Sequence, residues 1–204
     1  MSWLTCLPAV RLFSPLRFLS LGVLSLVFLP AALEGASDEQ REARLVDLGR
    51  ALFFDVNLSF NRTQSCATCH DPARAFIDWR DSGVSAAASL GDDGHSLGDR
   101  NAPTLSYAAL TPPLQRNAAG EWLGGQFLEG RAATLADQAQ APPMNLLEMA
   151  MPDSASVVAR LQENPNYARE IPALFGDDVF SDEARTLQAM GESIAAFEQI
   201  GFFS

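Results

Sequence analysis

The sequence predicts a mainly α-helical domain with long loops. Apolar residues recur at helical spacing over 41–54, 154–162 and 181–197, while the period-two alternation of strands is weak throughout. From Ser82 to Arg100 the chain carries Gly83, Gly91, Gly94 and Gly98 among many Ser and Asp residues, with little periodicity. That composition marks a loop, and loops of this length in compact domains are functional or disordered.

In chain order, Arg11 and Arg17 precede an apolar run from Phe18 to Leu33, then small residues at Gly35-Ala36 and the polar start Ser37-Asp38-Glu39-Gln40. This is the layout of a secretory signal peptide over residues 1–36, which places the mature chain in the periplasm. The run is 16 residues long, short of the roughly 20 that span a bilayer as a helix. No stable membrane insertion is expected after cleavage; an uncleaved anchor is the alternative. Cys6 would leave with the signal. Residues 37–204 then form one domain, long enough for a real core.

Arg41 to Phe54 reads as an amphipathic helix with Leu45, Leu48, Ala51 and Leu52 on one face and Arg44, Asp47 and Arg50 elsewhere. Asn57 to Thr63 is turn chemistry. Leu105 to Leu110 begins a short helix, and the Gly-rich, aromatic stretch from Trp122 to Arg131 reads as a turn packed on the core. Thr134 to Gln140 is helical and broken by Pro142-Pro143. Further helices are expected from Ser154 to Gln162, with Val157, Val158 and Leu161 as the apolar stripe, and from Asn166 to Phe175. Ser181 is expected to cap a last helix in which Leu187, Met190, Ile194 and Phe197 recur.

Charge narrows the partners. The whole chain carries −11, and removal of 1–36 takes away Arg11, Arg17 and Glu34 to leave −12. Nucleic acid is excluded on that balance; an acidic surface confers solubility or attracts a basic redox protein.

The most informative stretch is Ser65-Cys66-Ala67-Thr68-Cys69-His70. In an exported chain, the two thiols of C-x-x-C-H can each form a thioether to a haem vinyl group while the adjacent imidazole binds the iron. A zinc site would need further ligands, and beyond this motif residues 37–204 hold no other Cys and a single other His, His95. A thioredoxin-type disulfide would expect a βαβ context and gives His70 no role. Covalent haem c is therefore the expected cofactor. Phe76 and Trp79 could pack on the haem edge, and Arg74 and Arg80 could reach its propionates, although surface arginines are the commoner case.

The sixth iron position separates electron transfer from peroxide chemistry. His95 is one ligand available to it, and Met144, Met149, Met151 and Met190 are the others; Met190 sits in an apolar stripe and reads as core. Peroxide cleavage needs a group that takes a proton from one oxygen and returns it to the other. Glu148 is an acid among apolar neighbours, in Asn145-Leu146-Leu147-Glu148-Met149. Desolvation would raise its pKa toward the working pH, though an isolated Glu is more often solvated.

Several motifs then fall in one register: Leu48-Gly49-Arg50-Ala51-Leu52-Phe53-Phe54-Asp55, Leu58-Ser59, the haem motif through Asp71-Pro72, Arg100-Asn101-Ala102-Pro103-Thr104-Leu105, Gly130-Arg131-Ala132, Gln138-Ala139, and Asn145 with Glu148-Met149. Over about residues 41–200 the chain resembles the bacterial di-haem cytochrome c peroxidases and their MauG-like relatives. The resemblance implies a cytochrome-c-like helical N-terminal domain holding the peroxidatic haem, with Cys66 and Cys69 as attachment sites and His70 as proximal ligand. It implies Glu148 as distal acid/base and Gln138 as its hydrogen-bonding neighbour. Asn101 corresponds to a residue that helps bind calcium, and His95 to the distal histidine of the peroxidase branch, which MauG-like relatives lack. A His95-capped iron would have to open before peroxide enters.

The implied activity is reduction of hydrogen peroxide with electrons from a small c-type cytochrome or similar donor; a single-haem electron-transfer cytochrome and an inactive haem-binding fragment are the alternatives. Two departures stand out. Leu128 precedes Glu129-Gly130-Arg131 where the family often places a relay Trp, with Trp122 six residues earlier as a poor substitute. The sequence also stops at Gly201-Phe202-Phe203-Ser204, where family members continue into a second haem domain, so it reads as the first half of such an enzyme.

Overall fold

A computed structural model describes residues 29–85 and 87–200, with side chains from Ser37 onward. The chain divides into two units, Met1–Ser37 and Asp38–Ser204. The segment read as a signal peptide lies outside the described residues, save for helical backbone from Leu29. Among the described residues no helix is long and apolar enough to cross a membrane.

The second unit is mainly helical. Helix α1 spans Leu29–Phe53, so the boundary expected at Arg41 marks where apolar periodicity begins rather than where helical backbone begins. Its Leu45, Leu48, Leu52 and Phe53 are buried. The fourth to sixth helices are α4 (Ser154–Glu163), α5 (Pro165–Phe175) and α6 (Glu183–Gln199). Each starts at a side-chain cap that satisfies a first-turn N–H. Asp153 accepts from the Ser156 N–H at 2.8 Å and Asn164 from the Asn166 N–H at 2.9 Å. The cap of α6 is Asp182, which accepts from the Arg185 N–H at 3.1 Å. Ser181, expected in that role, instead donates to the Asp178 carbonyl at 2.6 Å.

Two glycines set how closely α6 packs. A Cβ on Gly49 would lie 1.7 Å from the Ser193 carbonyl oxygen, so α1 and α6 cross backbone to backbone. A Cβ on Gly191 would lie 2.2 Å from the Ala136 carbonyl oxygen, which brings α6 equally close to the short helix α3 (Leu135–Ala139). Beside the first crossing, the Phe53 and Phe197 rings lie 5.2 Å apart. Met190 and Ile194 of α6, Leu161 of α4 and Ile171 of α5 complete an apolar centre closed to water.

Between Asp55 and Asp153 the chain is mostly loop. It contains the one-turn helix α2 (Cys66–Cys69), α3 and an antiparallel pair, β1 (Gln115–Arg116) and β2 (Trp122–Leu123). Leu105–Leu110 forms only a 3₁₀ turn over Ala108–Leu110. The stretch from Trp122 is not packed on the core: Trp122 is 60% exposed and lies against the Arg116 guanidinium, 4.6 Å from the ring centroid. A cation–π contact at the surface is enough to order such a ring.

Candidate haem site

One turn of helix places both thiols. Thr68 Oγ1 accepts from the Ser65 N–H at 2.9 Å, which opens α2, and the His70 N–H closes it on the Cys66 carbonyl at 2.9 Å. Residues three apart share a helix face, so Cys66 and Cys69 face one way, and neither is in a disulfide. The face opens into a cavity of about 680 Å³, within the range of cofactor sites.

His70 ends the turn and also lines this cavity. Its Nδ1 lies 3.2 Å from the Phe76 carbonyl oxygen. A carbonyl can only accept, so Nδ1 carries the proton and Nε2 keeps a lone pair. Burial lowers the ring pKa, against the carbonyls of Phe76 and Pro103 and the charge of Asp78, and a neutral imidazole is the form that ligates iron. Ala75 and Phe76 both adopt left-handed backbone, at φ +54° and +57°. Two consecutive non-glycine residues there are strained. The Phe76 side chain anchors the bend, buried with its ring 6.4 Å from Phe53, and the bend delivers the carbonyl to His70.

Gln138 from α3 and Glu148 from the turn after the 3₁₀ segment Pro142–Met144 line the same cavity. Asn145 Nδ2 donates to Glu148 Oε1 at 2.7 Å. Burial raises the Glu148 pKa and Asp99 adds to the effect, while the Asn145 bond and the charge of Arg131 oppose it. Backbone bonds fix this wall: the Asp92 N–H donates to the Glu148 carbonyl and the Phe60 N–H to the Met149 carbonyl, each at 2.8 Å. A carboxyl held in place, half-buried and pushed up in pKa is suited to exchanging a proton with a substrate.

Six of the seven residues singled out in the sequence line this one cavity: Cys66, Cys69, His70, Asn101, Gln138 and Glu148. Asn101 sits exposed on the loop side. No three His, Cys, Asp or Glu side chains converge as a metal site among the described residues. His95 is the correction. It does not line the cavity but stands exposed in a turn that Asp93 organises, accepting from the His95 and Ser96 N–H groups at 2.8 and 2.7 Å. Those bonds close the turn outward and point the loop tip to solvent.

Of the residues considered for the haem surroundings, Phe76 acts through its carbonyl, and Trp79 is exposed with Arg74 5.1 Å from its ring centroid. Arg80 pairs with Asp78 at 2.6 Å and lies 3.4 Å from Cys69 Sγ. Leu128 lines the cavity, whereas Trp122 does not. The residue the sequence reading overlooked is Glu198 of α6, a buried acid on the cavity wall. Its signal was present: it falls four residues after Ile194, on the apolar face of the last helix. A separate hollow of about 530 Å³, between Ala109–Pro113 and Thr134–Leu135, holds no titratable group.

A family model described as di-haem cytochrome c peroxidase matches residues 43–202. The chain belongs to this family. It is 51% identical to the methylamine utilization protein MauG of Paracoccus denitrificans over 180 residues, covering 87% of this chain and 46% of that one. It is 32% identical to the cytochrome c peroxidase Ccp of Escherichia coli over 158 residues, covering 78% and 29%. Among solved structures, the diheme peroxidase BthA from Burkholderia thailandensis superposes with a TM-score of 0.71 at 32% identity, over 76% of this chain and 38% of that one. The chain thus spans less than half the length of these relatives. For a family member the expected cofactor is haem c, and the residues present fit it: two unpaired thiols on one face, an imidazole with its Nδ1 engaged, and a cavity of cofactor size in front of them.

Proposed function

We propose that this chain forms the peroxide-reacting haem c domain of an exported di-haem peroxidase. The observation that supports the proposal is that Glu148 lines the same cavity as Cys66, Cys69 and His70. Cys66 and Cys69 would hold the haem by thioethers and His70 Nε2 would bind its iron. When bound, the haem supplies the electrons that cleave an O–O bond. Glu148 would take a proton from one oxygen of hydrogen peroxide and return it to the other, a task its raised pKa suits. Asn145 holds Oε1 in place, and the Gln138 amide orients the substrate as a hydrogen-bond donor.

The electron donor in this reading is a small c-type cytochrome or similar protein, and export rests on residues 1–36. Asn101 would supply one amide oxygen to a calcium ion, which takes roughly six to eight; calcium titration of the holoprotein tests that part. Because His95 lies outside the cavity, it would not cap the iron in this reading, and peroxide would have access to the site.

Met149 favours a second reading. It is buried, lines the cavity and neighbours Glu148, so it could bind iron in a single-haem electron carrier. Peroxide turnover and low-temperature EPR of the ferric protein, produced in a host that attaches c-type haem, separate the two. The peroxidase reading expects a high-spin signal and a fall in turnover of about 10²–10⁴ for Glu148→Gln. A low-spin signal that turns high-spin only in Met149→Leu, with turnover indifferent to Glu148, would establish the carrier instead.

A further inference from the structure

We infer that Glu198 is the group that takes up a proton when this domain gains an electron. The inference rests on the haem reading above. Glu198 is 4% exposed, and its Oε2 has no hydrogen-bond partner. It lies one helical turn beyond Ile194, and both line the haem cavity. An ionised carboxylate whose Oε2 lacks a partner in such a place is disfavoured against its neutral form. Burial accordingly pushes its pKa up to about 8, with no cation offsetting the effect.

The surrounding elements supply no counter-charge. From α1, Arg50 lies over the Phe197 ring, 5.6 Å from its centroid. Asp137 of α3 is exposed, and its carboxylate accepts from the Thr134 N–H at 3.1 Å and Oγ1 at 2.8 Å. Arg160 of α4 is directed to the Phe60 carbonyl, and Arg169 and Glu170 of α5 pair with each other. The 3₁₀ turns at Ala108–Leu110 and Val179–Ser181 carry no charge. Within the cavity wall, Arg100 and Arg131 pair with Glu129, while Asp99 and Arg131 act on Glu148.

One group does respond to Glu198. Among the charges acting on Cys66, that of Glu198 is the largest and raises its pKa. Cys66 is where the haem would be covalently attached, so the acid's field falls on the redox centre at its point of attachment. Burial acts most on His70, followed by Phe76, Pro103 and Asp78, with no contribution from Glu198.

The consequence follows from Coulomb's law in a poorly solvated site. A one-electron donor such as a c-type cytochrome converts ferric to ferrous iron, removing one positive charge. The loss of that charge favours the neutral acid, so a solvent proton adds to Glu198 and the electron and proton balance each other. Raising the pH removes the proton, leaves a carboxylate that holds the ferric state, and lowers the potential. Glu198 acts through the haem rather than on peroxide, and so is a positioning residue for charge.

Spectroelectrochemical titration of the holoprotein against pH tests this. Covalent haem is verified first by haem staining on a denaturing gel; its absence would fail the haem reading rather than this inference. In the wild type the reduction equilibrium constant is expected to fall by up to about tenfold per pH unit, about 59 mV for one electron. Glu198→Gln should match the wild type at acid pH and separate from it increasingly as pH rises, whereas Glu198→Asp should keep the slope. Curves that coincide, or that differ by a constant offset, would overturn the inference. Should Glu198→Gln not fold, redox difference infrared spectra of the wild type and Glu198→Asp decide. A protonated carboxyl band that appears on reduction and shifts in the Asp variant supports the inference, and its absence overturns it.

Discussion

The helices and the loops of this domain are stabilised by different means. Where α1, α4, α5 and α6 meet, Leu52, Phe53, Leu161, Ile171 and Met190 are withdrawn from water, and hydrophobic burial carries the packing. Between Asp55 and Asp153 large apolar side chains are often exposed, among them Tyr107, Leu110, Trp122, Leu128 and Leu146. That region is held instead by backbone and side-chain bonds. Buried Asp92 accepts from the Asn61 N–H at 2.5 Å and Thr63 Oγ1 at 2.6 Å, tying the turn before the haem motif to the long loop. Its burial is outweighed by these bonds and one from Ser59, so its pKa is lowered. The cavity lies on the seam between the two regimes. The helices give it rigid residues such as Ile194 and Glu198; the loops give it Glu148 and the carbonyl that faces His70.

The comparison can be broken outright by removing what would fill the seam. Cys66→Ser combined with Cys69→Ser is expected to abolish covalent haem, read as complete loss of haem staining on a denaturing gel. The helical far-UV signal should fall far less than the near-UV signal from the loops. Retention of all near-UV signal would show the loop wall to be self-supporting.

Smaller changes within each regime sharpen the contrast. Leu52→Ala is expected to cost about 2–5 kcal/mol in urea unfolding, and Gly191→Ala about 1–3 kcal/mol because its Cβ meets the Ala136 carbonyl. Leu146→Ala on the exposed wall should stay within about 0.5 kcal/mol.

Glu198 gives a pH signature in the helical part. Its folded pKa is raised to about 8 from 4.5, so between these values the unfolded chain binds fewer protons and stability falls as pH rises. Urea midpoints across that window should show Glu198→Gln removing this component of the slope, with the variant gaining relative to the wild type toward pH 8.

The smallest effect is expected for His95→Ala. Its side chain is exposed and outside the cavity, so the ferric EPR spectrum should be unchanged and stability should move by less than about 0.5 kcal/mol. A low-spin to high-spin conversion in this variant would require the loop to fold inward in solution.

The sequence by itself determined whatever depends on near neighbours. Helical periodicity located α4, α5 and α6 within a few residues, because a stripe of apolar side chains repeats with the turn of the helix. C-x-x-C-H put two thiols and an imidazole on one short turn, and the motif register drew attention to Gln138 and Glu148, which the fold brings to the same cavity. Tertiary structure alone decided what depends on where distant segments converge. His95 is 25 residues from His70, yet it faces outward because Asp93 closes its turn locally. The helical spacing put Glu198 on the apolar face of α6, four residues after Ile194, but only the packing of that face withdrew it from water and set it on the cavity wall. The Phe76 carbonyl reaches His70 through a left-handed bend that no local propensity favours. Local spacing is set by covalent geometry, whereas convergence is set by burial and by the hydrogen bonds that hold a loop in one path.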